Sequence, residues 1–157
     1  MTTRPKEHVE MEPYAKYTIF KEAYDRINLY KDKEDFLAAH VLSFSILEDR
    51  VTAAYVSAYR SLNKEDPPNM HKLEKVFFKM LIDILQSMGV IKEDLHKKLL
   101  EAANKRNELM HEMMWRLNAF NSSDVEDIRS LINEVETMTE KFVKLHGTKE
   151  DLIKLTE

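Results

Sequence analysis

The chain holds 157 residues, 43% of them hydrophobic, which suits one domain with a single buried core. Only 2 Gly and 4 Pro interrupt it, disfavouring turn-rich sheet folds and glycine-rich phosphate loops alike. The absence of Cys excludes disulfides, Cys-ligated zinc, thiol nucleophiles and iron–sulfur clusters. A net charge of −4 argues against a broad electrostatic grip on a nucleic-acid backbone but leaves room for a local basic site. No stretch approaches 18 uncharged apolar residues, and the opening MTTRPKEHVEMEP has no signal-peptide core, so a soluble, cytoplasmic protein without a membrane span is expected.

Residues 1–12 are polar and aperiodic and read as an N-terminal arm, with a single helical domain over 13–157. A first helix is predicted from Pro13 to Tyr30, with Tyr17, Phe20, Tyr24 and Ile27 on one face. After KDKED a second helix carries the stripe Leu37, Val41, Phe44, Glu48, Val51, Tyr55, Ala58 and Leu62. Pro67-Pro68 fixes the break before a third helix, whose apolar face is Leu73, Phe77, Met80, Leu81, Ile84 and Met88, with Gly89 at a left-handed C′ position. A fourth helix is expected over Lys92 to Leu117, with Leu95, Leu99, Ala102, Ala103, Met110, Met113, Met114 and Leu117 inward. Ser123 and Glu126 suggest a capping box for a fifth helix, striped by Val125, Ile128, Leu131, Val135, Met138, Phe142 and Leu145 and stopped at Gly147. A short further helix could close the chain. The fold class is therefore all-α, an antiparallel bundle of four to five helices with up-and-down connections.

Two charges interrupt the apolar stripes. At about 100° per residue, Arg106 falls within 20° of Leu99 and Leu117, inside the apolar face of its helix. Asn107 and His111 lie near 100° and 140° from it, one turn apart on an adjoining side. Glu48 has Val41, Tyr55 and Tyr59 within about 20° of its direction and is expected to point at the core. A buried charge needs a partner or solvent, so a simple structural role is a Glu48–Arg106 pair that fixes the register of two helices. Such a pair leaves Asn107 and His111 unexplained.

The fragment Arg106-Asn107-Glu108-Leu109-Met110-His111 has the form R-N-x-x-x-H and resembles the signature of the HEPN family of small helical bundles, an Arg and a His with four to six residues between them and often Asn, Asp or His directly after the Arg. The resemblance spans the bundle from Asp32 to His146, its specific part being these six residues and Glu48. It implies a HEPN-like, metal-independent endoribonuclease working as a homodimer, without cofactor or metal. His111 would then act as general base on the ribose 2′-hydroxyl, or as acid toward the leaving oxygen in the second copy. Arg106 would hold the scissile phosphate, Asn107 would orient the imidazole or the phosphate, and Glu48 would orient Arg106. The products would be a 2′,3′-cyclic phosphate and a 5′-hydroxyl. A toxin or defence role with an antitoxin partner is within the resemblance. Control by AMPylation of an R-x4-H-x-Y tyrosine is not, because Met113 stands at that position.

Three other features stand beside it in the sequence. Lys98 and Lys105, with Lys92, Lys97, Lys72, Lys75 and Lys79, could line an RNA path, although charge runs on amphipathic helices are commonly just solvated faces. Glu93-x-x-His96 and Glu108-x-x-His111 each match half of a di-iron motif, but they lie about 22 Å apart on one helix and cannot share a centre. Met110, Met113, Met114 and Trp115 could instead form the partner surface of a catalytically inactive dimerising, nucleotide-binding or interaction module.

Overall fold

The computed structural model describes residues 13–69, 72–73, 77–111 and 120–147. Five α-helices lie among them: α1 (Pro13–Asp32), α2 (Phe36–Asn63), α3 (Phe78–Ser87), α4 (Glu93–His111) and α5 (Ser122–His146). The architecture is an all-α bundle, as the periodicity predicts. Sequence expectations for the 1–12 arm, for Lys75, for Met113, Met114, Trp115 and Leu117, and for a helix after Gly147 fall outside the described residues.

Helix α2 is the centre of the bundle, packed on α1, α3 and α5, while α4 packs on α3 and α5. Side-chain links fix the directions. Asp83 of α3 meets His96 of α4 and Lys79 meets Asn104, so these two helices are antiparallel. Lys98 reaches Glu134 and Lys105 reaches Asp124, which makes α4 and α5 antiparallel as well. Helices α2 and α5 run the same way: Phe120, just before α5, stacks on His40 near the start of α2, and Lys64 after α2 donates to the His146 carbonyl at the end of α5. Helix α3 accordingly begins at the Phe44 end of α2, where the Phe78 ring lies 5.4 Å from that of Phe44.

The core is built from Phe44, Leu47, Val51 and Ala54 of α2, Ile82 and Leu85 of α3, Leu99 and Ala103 of α4, and Ile132, Val135 and Phe142 of α5. Several stripe positions are corrected. Val41 and Leu62 are exposed, and α2 instead buries Ala39, His40, Ser43, Ala54 and Ser61. Because α2 is covered by three helices its buried arc is wide, and small residues there allow close approach; a hydropathy stripe detects neither effect. The buried hydroxyls of Ser43, Ser61 and Thr139 are satisfied by donating to carbonyls four residues earlier. Phe77, which precedes α3, and Met80 within it are exposed, and the helix buries Leu81, Ile82 and Leu85. On α4 the inward residue near the end is Leu109, while Met110 is exposed. Leu145 is exposed at the end of α5, where no described helix covers it.

The helix ends follow local chemistry. Gly89 adopts φ 81°, with its N–H donating to Gln86 and that of Val90 to Leu85, the two bonds of a Schellman termination after α3. The start of α5 differs from expectation. Its cap is Asn121, whose side chain accepts from the Asp124 N–H while the Asp124 carboxylate accepts from the Asn121 N–H. Ser123 only donates its hydroxyl to Asn121. The capping box is therefore Asn121 with Asp124, two residues earlier than Ser123 with Glu126, and Glu126 is bonded to Lys31 of α1. Asp124 serves better than Glu126 because it is also reached by Lys105. Asn121→Ala should lower stability by about 1 kcal/mol in urea unfolding, whereas Ser123→Ala should cost less than half as much.

Candidate functional site

Helix α4 sets the geometry around the R-N-x-x-x-H segment. Leu99 and Ala103 anchor it in the core, and at this register Arg106 meets α2. The Arg106 Nη2 lies 3.2 Å from Glu48 Oε1, and the guanidinium carbon sits 4.4 Å from the centre of the Phe44 ring. Phe44 is i−4 from Glu48 on α2, so one helical turn supplies the carboxylate and the aromatic face together. The guanidinium is a third exposed and Glu48 two fifths, which corrects the expectation that Glu48 points into the core. Both groups stand at the edge of the bundle. Arg106 Nε is buried and has no hydrogen-bond partner among the described residues.

Asn107 and His111 are exposed on the same helix, His111 as the last residue of α4. No side-chain hydrogen bond joins them to each other or to Arg106 among the described residues. The structure thus brings Arg106 and Glu48 into contact and leaves Asn107 and His111 beside them facing solvent. A guanidinium restrained on one edge and one face keeps further N–H donors for an anion.

The lysines of interest lie elsewhere on α4. Lys98 is bonded to Glu134 at 3.2 Å and to Asp94 at 3.3 Å, and these contacts raise its pKa. Lys105 is bonded to Asp124. Both line a cavity of about 420 Å³ between α4 and α5 that includes none of Arg106, Asn107 and His111. Lys105 is about 120° around the helix from His111. Lys79 donates to Asn104. Among the described residues no three His, Asp or Glu side chains are grouped as a metal site requires, and His96 lies 2.6 Å from Asp83.

Sequence reasoning did not single out His40 and Asp124, both nearly sealed from solvent. His40 stacks between Phe120 at 4.5 Å and Phe44 at 6.3 Å, and its Nδ1 has no hydrogen-bond partner among the described residues. Burial pushes its pKa down to about 4, with Lys105 and Arg106 adding to the effect against Asp124. The imidazole is therefore neutral at pH 7. Burial alone would raise the Asp124 carboxyl, but Lys105 and the Asn121 amide outweigh it and hold the group below its ordinary value. The sequence signal was faint: His40 precedes Phe44 by one turn on α2 but sits off the apolar stripe.

The unfolded imidazole takes up its proton near pH 6.5 and the native one only near 4, so the unfolded state binds more protons in between. Stability should be full above about pH 6.5 and decline as the pH falls toward 4. Urea unfolding should show a loss of about 2 kcal/mol between pH 7 and 4.5, and His40→Gln should flatten most of that slope. The chain matches no family model, no curated protein and no solved structure in the comparisons made.

Proposed function

We propose that the protein is a HEPN-like, metal-independent endoribonuclease in which two copies combine their Arg106 and His111 side chains on one RNA strand. One observation supports this reading above the others. Arg106 is held by Glu48 and Phe44 at the edge of the bundle, with donors to spare, on the same helix as the exposed Asn107 and His111.

The chemistry follows from these groups. His111 of one copy removes the proton from the ribose 2′-hydroxyl, and the oxygen attacks the adjacent phosphorus. Arg106 stabilises the negative charge that gathers on the phosphorane oxygens, for which its fixed fork of donors is suited. The bond to the 5′-oxygen breaks, and that oxygen takes a proton from His111 of the second copy. A 2′,3′-cyclic phosphate and a 5′-hydroxyl result. Base and acid are needed at once, and the R-N-x-x-x-H segment of one chain offers a single imidazole, which is why a symmetric pair of copies is part of the proposal. Asn107, on the His111 side of the helix, would hydrogen-bond the phosphate or the ring. Lys98 and Lys105 have acidic partners and face the α4–α5 cavity, so they are not required for this step.

Wild-type protein in EDTA should cleave mixed-sequence RNA to cyclic-phosphate ends and leave DNA intact. His111→Ala should reduce the rate by about 10²–10⁴-fold at unchanged melting temperature, and Glu48→Gln by about tenfold, because Glu48 acts through Arg106. A wild type that leaves RNA uncut, or cleavage that survives His111→Ala, would overturn the proposal in favour of a noncatalytic dimerising or interaction module.

A further inference from the structure

The cavity between α4 and α5 is independent of the Arg106 edge and carries a chemistry of its own. Its volume of about 420 Å³ lies within the range of small-molecule sites and is far larger than a single ion needs. The Lys98–Glu134 and Lys105–Asp124 bridges cross between the two helices, and the lysines that make them are two turns apart on α4, about 10 Å. Ala102, Ile128 and Leu131 give the cavity an apolar lining, and His40 of α2 contributes to the wall. That imidazole is 2% exposed, neutral, and has one nitrogen without a hydrogen-bond partner among the described residues. A buried nitrogen without a partner costs free energy, which a ligand group would relieve.

The charge balance selects the ligand. Six lining residues are ionisable at neutral pH apart from His40: Lys98 and Lys105 against Glu101, Asp124, Asp127 and Glu134. Both lysines are already bonded to carboxylates, so no cation is left over for an anionic guest. Glu101 and Asp127, both solvent-exposed where they line the cavity, have neither an ion pair nor a hydrogen bond among the described residues, leaving two carboxylates open to a cation. An ammonium group can donate to both a carboxylate and a neutral imidazole nitrogen.

We propose that the α4–α5 cavity binds a small organic cation bearing primary ammonium groups, of diamine or short polyamine size, with Glu101 and Asp127 taking the ammonium charge and His40 accepting a further N–H at the cavity wall. The site lies away from Arg106 and His111, and the proposal does not depend on ribonuclease activity.

Isothermal titration of the full chain with putrescine and with spermidine at fixed ionic strength tests it, with uncharged 1,4-butanediol as the isostere. The diamine or the polyamine should bind with one-to-one stoichiometry, the diol should not bind, and Glu101→Gln with Asp127→Asn should weaken binding at least tenfold at unchanged melting temperature. The imidazole resonances assigned to His40 should shift on saturation of the wild type, while those of His111 stay in place. Absence of binding by either amine, equal binding by the diol, or binding unchanged in the double variant would overturn the proposal.

Discussion

A guanidinium set into the apolar face of a helix is the constraint that decides which side of α4 the candidate site occupies. Arg106 follows Leu99 and Ala103 in the direction of the core, and no neighbouring apolar side chain could satisfy its charge. Helix α2 answers with Glu48 on one edge and Phe44 on one face. This fixes the rotation of α4 against α2, and with it the side of α4 on which Asn107 and His111 emerge. Both charged groups are partly exposed, so the ion pair contributes about 0–1 kcal/mol and the ring contact a similar amount. Truncating a core leucine would cost about 2–5 kcal/mol. The fold is thus carried by Leu47, Leu85, Leu99 and Ile132, while the Arg106 cluster directs one helix face. A structural element whose removal costs little stability but whose geometry is specific suits a site of chemistry.

Opposite in character is the seam between α4 and α5. There the polar groups are laced by lysine–carboxylate bridges, and beneath them His40 is kept neutral by burial. One face of α4 therefore presents a restrained cation and an exposed imidazole, and another presents a cavity with excess negative charge. The two lie on a single helix and meet at His40, which stacks on the Phe44 ring beneath Arg106 and feels the charges of Arg106 and Lys105.

Much of the fold was legible because helix signals are local. Tyr24 and Ile27, Leu95 and Leu99, and Val125 through Val135 recur at helical spacing, and Gly89 and Gly147 mark ends that the structure keeps. The failures were of neighbourhood. Val41 and Leu62 have the periodicity of core residues but face away from the three helices around α2, and Met110 gives way to Leu109 on α4. Asn121 took the cap from Ser123 because its partner Asp124 gains a second bond to Lys105, a residue 19 positions earlier that no local pattern connects to it. Of the site, the Glu48–Arg106 contact was legible, since two lone charges in facing stripes have few other ways to be satisfied. His40 was not, because a histidine beside alanines carries no sign of which helices will enclose it.

The central claim is that Arg106 acts as a fork of donors on a phosphate rather than as a structural charge, and Arg106→Lys separates the two roles most directly. Lysine keeps the charge and the bond to Glu48 but loses the planar, multidentate head. Measured in EDTA on RNA, the substitution should lower the cleavage rate by about a hundredfold with melting shifted by only a few degrees. Cleavage at the wild-type rate, or an equally inert wild type, would contradict it.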